Sequence, residues 1–228
     1  MKVIYLLGTD GAGKTSIARK LAAEDFGGVK LKYAYCQLTP ILLFPLKVVA
    51  RVMFLKSADR FQNYQHYRGL KASAGRRHRC LNWVYCLVWQ IDQAWQAWLK
   101  LRPAWLRNQP VIVDRYYLDA VVETGILLGS DAKGMLRSAQ RIEHFLPKAD
   151  VCLFLNVSEE VAFSRKDDIP SAEYLRERKA RYLALAGAYD FHEVNADAPL
   201  EEVLSEARKV ISPFLNATAR VANLARGI

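Results

Sequence analysis

The residues with the clearest capacity for chemistry lie near the start of the chain, in Gly8-Thr9-Asp10-Gly11-Ala12-Gly13-Lys14-Thr15. A turn this rich in glycine lets successive backbone N–H groups converge on one cavity. The helix that follows adds its positive end, so the segment suits phosphate oxygens. Lys14 would reach the outer phosphates of ATP, and the Thr15 hydroxyl would ligate the Mg²⁺ that bridges them. Gly8, Gly11, Ala12, Gly13 and Ser16 complete the cradle. A second carboxylate is expected at the end of a neighbouring strand to hold the metal's shell, and Asp114, closing Val111-Ile112-Val113, supplies one. Arg115 follows it directly, either as a fork for an anionic acceptor or as a surface ion pair of little consequence.

These groups need a frame. Residues 3–7 form an unbroken apolar run closed by Gly8, the pattern of a parallel strand buried on both faces. Residues 15–23 place Ile17, Ala18, Leu21 and Ala22 at helical spacing. Further strands are expected at 29–36, 110–113, 151–157 and 191–194, and helices at 117–128, 135–146, 159–165, 172–186 and 200–215. Strand and helix alternate, which predicts an α/β chain with a P-loop NTPase fold: a five-stranded parallel sheet with helices on both faces and ligands outside the strands' carboxyl ends. One domain is expected over 1–215, with a frayed tail over 216–228. Residues 39–107 exceed what the sheet needs and read as an enlarged helical insertion.

Composition narrows the class. Hydrophobic residues make up 52% of the 228, enough for one core and against a disordered chain. The four cysteines show neither metal-site nor disulfide spacing. The first residues lack a signal-peptide layout and no apolar run is long enough to span a bilayer, so a cytoplasmic location is expected. The net charge of +10 has one source: residues 47–107 hold 12 basic and 2 acidic groups, while the flanks cancel. Such a segment attracts phosphate-rich small molecules, nucleic acid or anionic lipid.

The phosphate loop with an acid in its third position, together with Asp114-Arg115-Tyr116, resembles the thymidylate kinase family of nucleoside monophosphate kinases. The likeness extends through Leu153-Phe154-Leu155-Asn156-Val157, Tyr174-Leu175-Arg176-Glu177-Arg178, Tyr182-Leu183-Ala184-Leu185-Ala186 and Asn195-Ala196-Asp197-Ala198-Pro199. It covers roughly residues 1–25 and 108–212. The resemblance implies that Asp10 contacts the acceptor sugar, Arg115 its phosphate and Tyr116 its face. It implies too that Asn195, Ala198 and Pro199 line the adenine side, and that the enzyme is a homodimer. It also implies a lid at 165–171 whose Arg165 offsets charge on the transferring group; a solvated helix-end charge is the plainer reading of that residue. Two departures fall on the acceptor side. Tyr35-Cys36-Gln37-Leu38-Thr39-Pro40 stands where the family carries Arg-Glu-Pro-Gly, and Ile91-Asp92-Gln93-Ala94 stands where it carries an Asp-Arg pair.

The expected partner is a small phosphorylated acceptor, not nucleic acid. Arg76 and Arg79, in Arg76-Arg77-His78-Arg79, are candidate contacts to its phosphate or members of a solvated loop. All five tryptophans fall within 80–106, and residues 41–56 are apolar with Lys47, Arg51 and Lys56 interspersed. Both stretches suit a bilayer interface, the core or a second subunit. A kinase of a lipid-linked acceptor and a non-catalytic ATP-binding switch are the rival functions.

Overall fold

A computed structural model describes residues 1–36, Ile41 and 79–226. The described elements are β1 (Val3–Leu7), α1 (Lys14–Ala23), β2 (Lys32–Tyr35), α2 (Arg79–Leu106), β3 (Val111–Asp114), α3 (Tyr117–Leu128), α4 (Ala132–Glu143), β4 (Val151–Asn156), α5 (Glu159–Ser164), α6 (Ala172–Tyr189), β5 (Phe191–Asn195) and α7 (Leu200–Arg226). The strands form one parallel sheet in the order β2-β3-β1-β4-β5. The expected five-stranded α/β architecture is therefore present, with β1 at its centre.

Alternation along β1 divides the core in two. Val3, Tyr5 and Leu7 point to one face, where they pack with Ala97 and Leu101 of α2, Leu118 and Val121 of α3, Met135 of α4 and Tyr182 of α6. Ile4 and Leu6 point to the other, against Ile17 and Leu21 of α1 and Leu204, Ala207 and Ile211 of α7. All five β1 residues are fully buried, which is why the strand reads as a continuous apolar run and not as an alternating one.

Several boundaries differ from expectation for local reasons. Helix α4 starts three residues earlier than periodicity suggests, because the Asp131 side chain caps it by accepting from the Gly134 N–H at 2.8 Å. Strand β2 is shorter than 29–36, since Gly27 and Gly28 turn the chain at positive φ and Asp25 pairs with Lys30 in an isolated antiparallel bridge. Helix α7 does not end at residue 215 but runs through Pro213 to Arg226. Proline removes one backbone donor there, yet Leu215 is buried and Lys2 Nζ lies 4.6 Å from the Phe214 ring centre, so packing holds the helix across it.

The expected helical reading of 80–106 is met by α2. The stretch 42–78 lies outside the described residues. Helix α2 buries Ala94, Ala97, Leu101 and Ala104 but exposes Val84, Ile91, Trp98 and Trp105, with Trp95 51% exposed. Among the described residues no helix is long and apolar enough to cross a membrane.

A buried polar network joins three elements. Asp119 of α3 accepts from Tyr5 Oη of β1, from Tyr182 Oη of α6 at 2.7 Å, and from the Tyr116 N–H at 2.8 Å. In turn the Asp119 N–H donates to Tyr5 Oη at 3.1 Å. Burial first, then the neighbouring carboxylate, pushes both phenols well above their ordinary range, so they stay donors. Each acceptor is thus met inside the core. An Asp119→Asn substitution turns an amide donor toward hydroxyls that need an acceptor. We expect a loss of about 2–3 kcal/mol in urea unfolding; an unchanged midpoint would mean the phenols contribute nothing to stability.

Candidate active site

The parallel register sets Leu6 beside both Asp114 and Leu153, so the loop after β1 and the turn after β3 leave the sheet at one edge. Gly13, at φ 81, forms the N-cap of α1 without a side-chain cap, leaving the first-turn N–H groups open toward that edge. Gly11, at φ 83, packs against α5, where an added Cβ would collide with the Ala162 carbonyl. Glycine is required at both positions, by conformation at the first and also by contact at the second.

Lys14 is only 5% exposed, and its Nζ donates to the Gly8 carbonyl at 2.8 Å and the Thr9 carbonyl at 2.6 Å. Burial, and then the charge of Arg115, lowers its pKa to about 8. The Thr15 hydroxyl donates to Asp114 Oδ2 at 2.5 Å, and the Tyr33 hydroxyl approaches the same oxygen at 3.3 Å. Asp114 is fully buried and its Oδ1 has no hydrogen-bond partner among the described residues. An unpaired buried carboxylate oxygen costs of order 1–3 kcal/mol, a cost that a bound cation would remove. Among the described residues no trio of His, Cys, Asp or Glu could cage a metal. One carboxylate beside a hydroxyl is instead what a magnesium ion carrying water and phosphate oxygens requires. The donor set fits that ion.

Across the loop, Arg115 Nη2 donates to Asp10 Oδ1, and the Tyr174 hydroxyl donates to Asp10 Oδ2 at 3.0 Å. Burial alone would raise the Asp10 carboxyl, but the charges of Arg115 and Lys14 outweigh it and hold it well below its usual range. Arg115 itself sits at φ 62, a left-handed conformation that costs a non-glycine residue about 1–3 kcal/mol.

The chain therefore brings Asp10, Lys14, Thr15, Asp114 and Arg115 together, with Ala12 buried in the same loop and Ser16 exposed on the first turn of α1. Tyr116 lies elsewhere: it is 4% exposed, donates its hydroxyl to the Pro147 carbonyl at 2.9 Å, and lines a small cavity with Cys36, Gln90 and Ala94. Arg165, the C-cap of α5, donates from Nη1 to the Ala196 carbonyl at 2.9 Å, joining it to the 195–199 segment. That segment is fastened to the end of β4: the Ala196 N–H donates to the Asn156 carbonyl at 2.8 Å, and the Ser158 N–H donates to Asp197 at 2.9 Å. Asn195 and Pro199 are exposed there and Ala198 is half-buried. Arg79 opens α2, and Arg76 lies outside the described residues.

Sequence reasoning passed over Tyr33, Asp119 and Tyr174. Asp119 carries a signal, an acid three residues after a helix N-cap. Tyr174 lies in a segment that carries the family likeness, but nothing in that likeness gave it a role at the site, and Tyr33, a lone tyrosine on a distant strand, has no spacing to mark it.

The thymidylate kinase family model matches residues 79–207, more than half of the chain. The chain is 33% identical over 230 aligned residues to "Probable thymidylate kinase 1" of Saccharolobus solfataricus, covering 94% of this chain and 98% of that protein. It is 32% identical over 131 residues to "Probable thymidylate kinase" of Archaeoglobus fulgidus, covering 55% and 64%. A protein of the same description from Methanothermobacter thermautotrophicus is 32% identical over 75 residues, covering 32% and 39%. Family match, near full-length similarity and the parallel sheet with its phosphate loop agree, and the chain belongs to the thymidylate kinase family of P-loop kinases.

Proposed function

We propose that this kinase moves the γ-phosphoryl group of Mg-ATP to a nucleoside monophosphate, with thymidylate the first acceptor to test. The observation that carries the reading is the unpaired Asp114 Oδ1, which lies in the residue that also accepts from Thr15, next to the buried Lys14. Family membership and the names of the relatives support the acceptor class. Thr15 and Asp114 would hold Mg²⁺, which when bound neutralises charge on the β- and γ-phosphates.

Lys14 would exchange the Gly8 and Thr9 carbonyls for phosphate oxygens, with the N–H groups of the loop and of the first turn of α1 around it. Arg115 presents its remaining N–H groups to the acceptor phosphate, and Asp10 faces the acceptor sugar. Tyr116 stands apart from them, in the wall of the cavity it shares with Cys36, Gln90 and Ala94, and would meet the acceptor's face only from there. An acceptor phosphate oxygen attacks the γ-phosphorus, the bond to the β–γ bridging oxygen breaks, and ADP leaves with that electron pair. The contribution of the protein is mainly position and charge. Arg165, on the adenine side with Asn195, Ala198 and Pro199, serves the lid at 165–171. Arg76 and Arg79 are assigned to the acceptor phosphate in place of the family's missing arginine.

We read the protein as a single cytoplasmic domain. On α2, Val84, Ile91, Trp95, Trp98 and Trp105 are exposed and recur at intervals of three, four and seven residues, an apolar seam that suits a second copy in a homodimer. The same seam supports the rival reading, a kinase docked on a bilayer with a lipid-linked acceptor.

Two results test the reading. ADP release from Mg-ATP should depend on thymidylate or another nucleoside monophosphate, and Lys14→Ala should reduce it by about 100-fold or more. Turnover with polyprenyl phosphates alone would support the rival, and ATP binding without any turnover would make the protein a switch. The second test is pH. The free enzyme loses the Lys14 proton as pH rises through about 8, so nucleotide affinity measured by calorimetry should be about tenfold weaker near pH 9 than near pH 7, with proton uptake on binding. A flat profile would mean that Lys14 does not hold the phosphates.

A further inference from the structure

The Asp10–Arg115 pair is anchored on its far side by a group that lies in neither the phosphate loop nor the Asp114-Arg115-Tyr116 turn. Asp10 is shared, with one oxygen accepting from Arg115 and the other from the Tyr174 hydroxyl at 3.0 Å. Tyr174 belongs to the first turn of α6, where its own N–H donates to the capping Ser171 hydroxyl at 3.2 Å. One turn further along, the Arg178 guanidinium carbon lies 3.6 Å from the Tyr174 ring centre, stacked over its face. Arg178 also pairs with Glu123 of α3. Helix α3 begins at Tyr117, two residues after Arg115. Arg115, Asp10, Tyr174, Arg178 and Glu123 thus close a ring that returns to the element Arg115 leads into.

A ring of this kind answers a specific need. The left-handed backbone at Arg115 persists only where the surroundings over-determine it. A carboxylate held at one oxygen can swivel about its last bond; held at both, it cannot, and the guanidinium paired with it keeps one direction. We propose that Tyr174 is the positioning residue of the acceptor end: its hydroxyl fixes the Asp10 carboxylate that aims Arg115 at the acceptor phosphate, and the Arg178–Glu123 pair braces it. The phenol makes no contact with reacting atoms in this scheme and transfers no proton. Burial outweighs the opposing charge of Arg178 and, with Asp10 and Glu123, raises its pKa, which keeps it a donor. The role deepens the proposed function and rests on that reading for the part Arg115 plays, while the Tyr174–Asp10 contact stands apart from it.

The test uses initial rates with Mg-ATP and thymidylate for the wild type, Tyr174→Phe and Glu123→Gln. Tyr174→Phe keeps the ring under Arg178 and removes only the donor. It should raise the thymidylate KM about five- to tenfold while kcat and the ATP KM stay within about twofold. Glu123→Gln should shift the same constant in the same direction, by less. An unchanged thymidylate KM, or equal rises in both KM values, overturns the proposal. A double-mutant cycle of Tyr174→Phe with Asp10→Asn, read as Tm, separates this from a failure of the functional reading. If the wild type turns over no nucleoside monophosphate, the acceptor assignment fails; the cycle then decides for Tyr174, non-additive shifts upholding its hold on Asp10 and additive shifts refuting it.

Discussion

The pairing of β1 with β3 is the constraint on which the site depends. Leu6 lies opposite Asp114, so a loop that begins at Gly8 and a turn that begins at Arg115 emerge side by side, although more than a hundred residues separate them in the chain. A slip of one residue would turn Asp114 to the other face of the sheet and send the alternating Tyr5 and Leu6 into the wrong halves of the core. The tyrosine among the β1 residues fixes the register further, because its hydroxyl must meet Asp119, which lies five residues beyond Asp114. Apolar burial sets the strand in the middle of the sheet; a single polar contact selects its alignment.

Three carboxylates on this edge are handled in three ways. Asp119 is satisfied by phenols and a backbone N–H, and serves the fold. Asp10 is offset by a guanidinium and a phenol, and stays ionised despite burial. Asp114 keeps one oxygen unmatched. Buried charges are normally compensated, and among the described residues Asp114 leaves a carboxylate oxygen unmet where the proposed chemistry brings a cation. Stability has been relinquished at that point and recovered in the neighbouring network around Asp119.

Much of the scaffold was legible because local chemistry and global packing agree. Ser158 and Ser171 cap α5 and α6 at the positions their side chains suggest, and α3 begins and ends as its apolar pattern implies. The phosphate-loop residues and Asp114-Arg115 were legible for a different reason, since each lies in a short contiguous motif. What escaped was non-local. Helix α4 depends on a cap at Asp131 outside its apolar pattern. The burial of Tyr116 follows from Pro147 and from the rings of Tyr5 and Tyr117 packed edge-on against it. Tyr174 reaches Asp10 across 164 residues. The continuation of α7 past Pro213 could not be read from propensity, because the packing of Leu215 and Phe214 outweighs one missing donor.

The contacts of Lys14 change what filling the loop means. Its ammonium already has two carbonyl partners at good distance, so a ligand does not enter an unsatisfied hole but must displace contacts of comparable quality. A lone phosphate ion brings its negative charge to that ammonium but fills only part of the cradle. A chain of phosphates gains more, because it engages the backbone N–H groups at the start of α1 in the same event. The resting loop thus holds its own lysine in place, and filling it is an exchange of partners for that ammonium and not the closing of a gap.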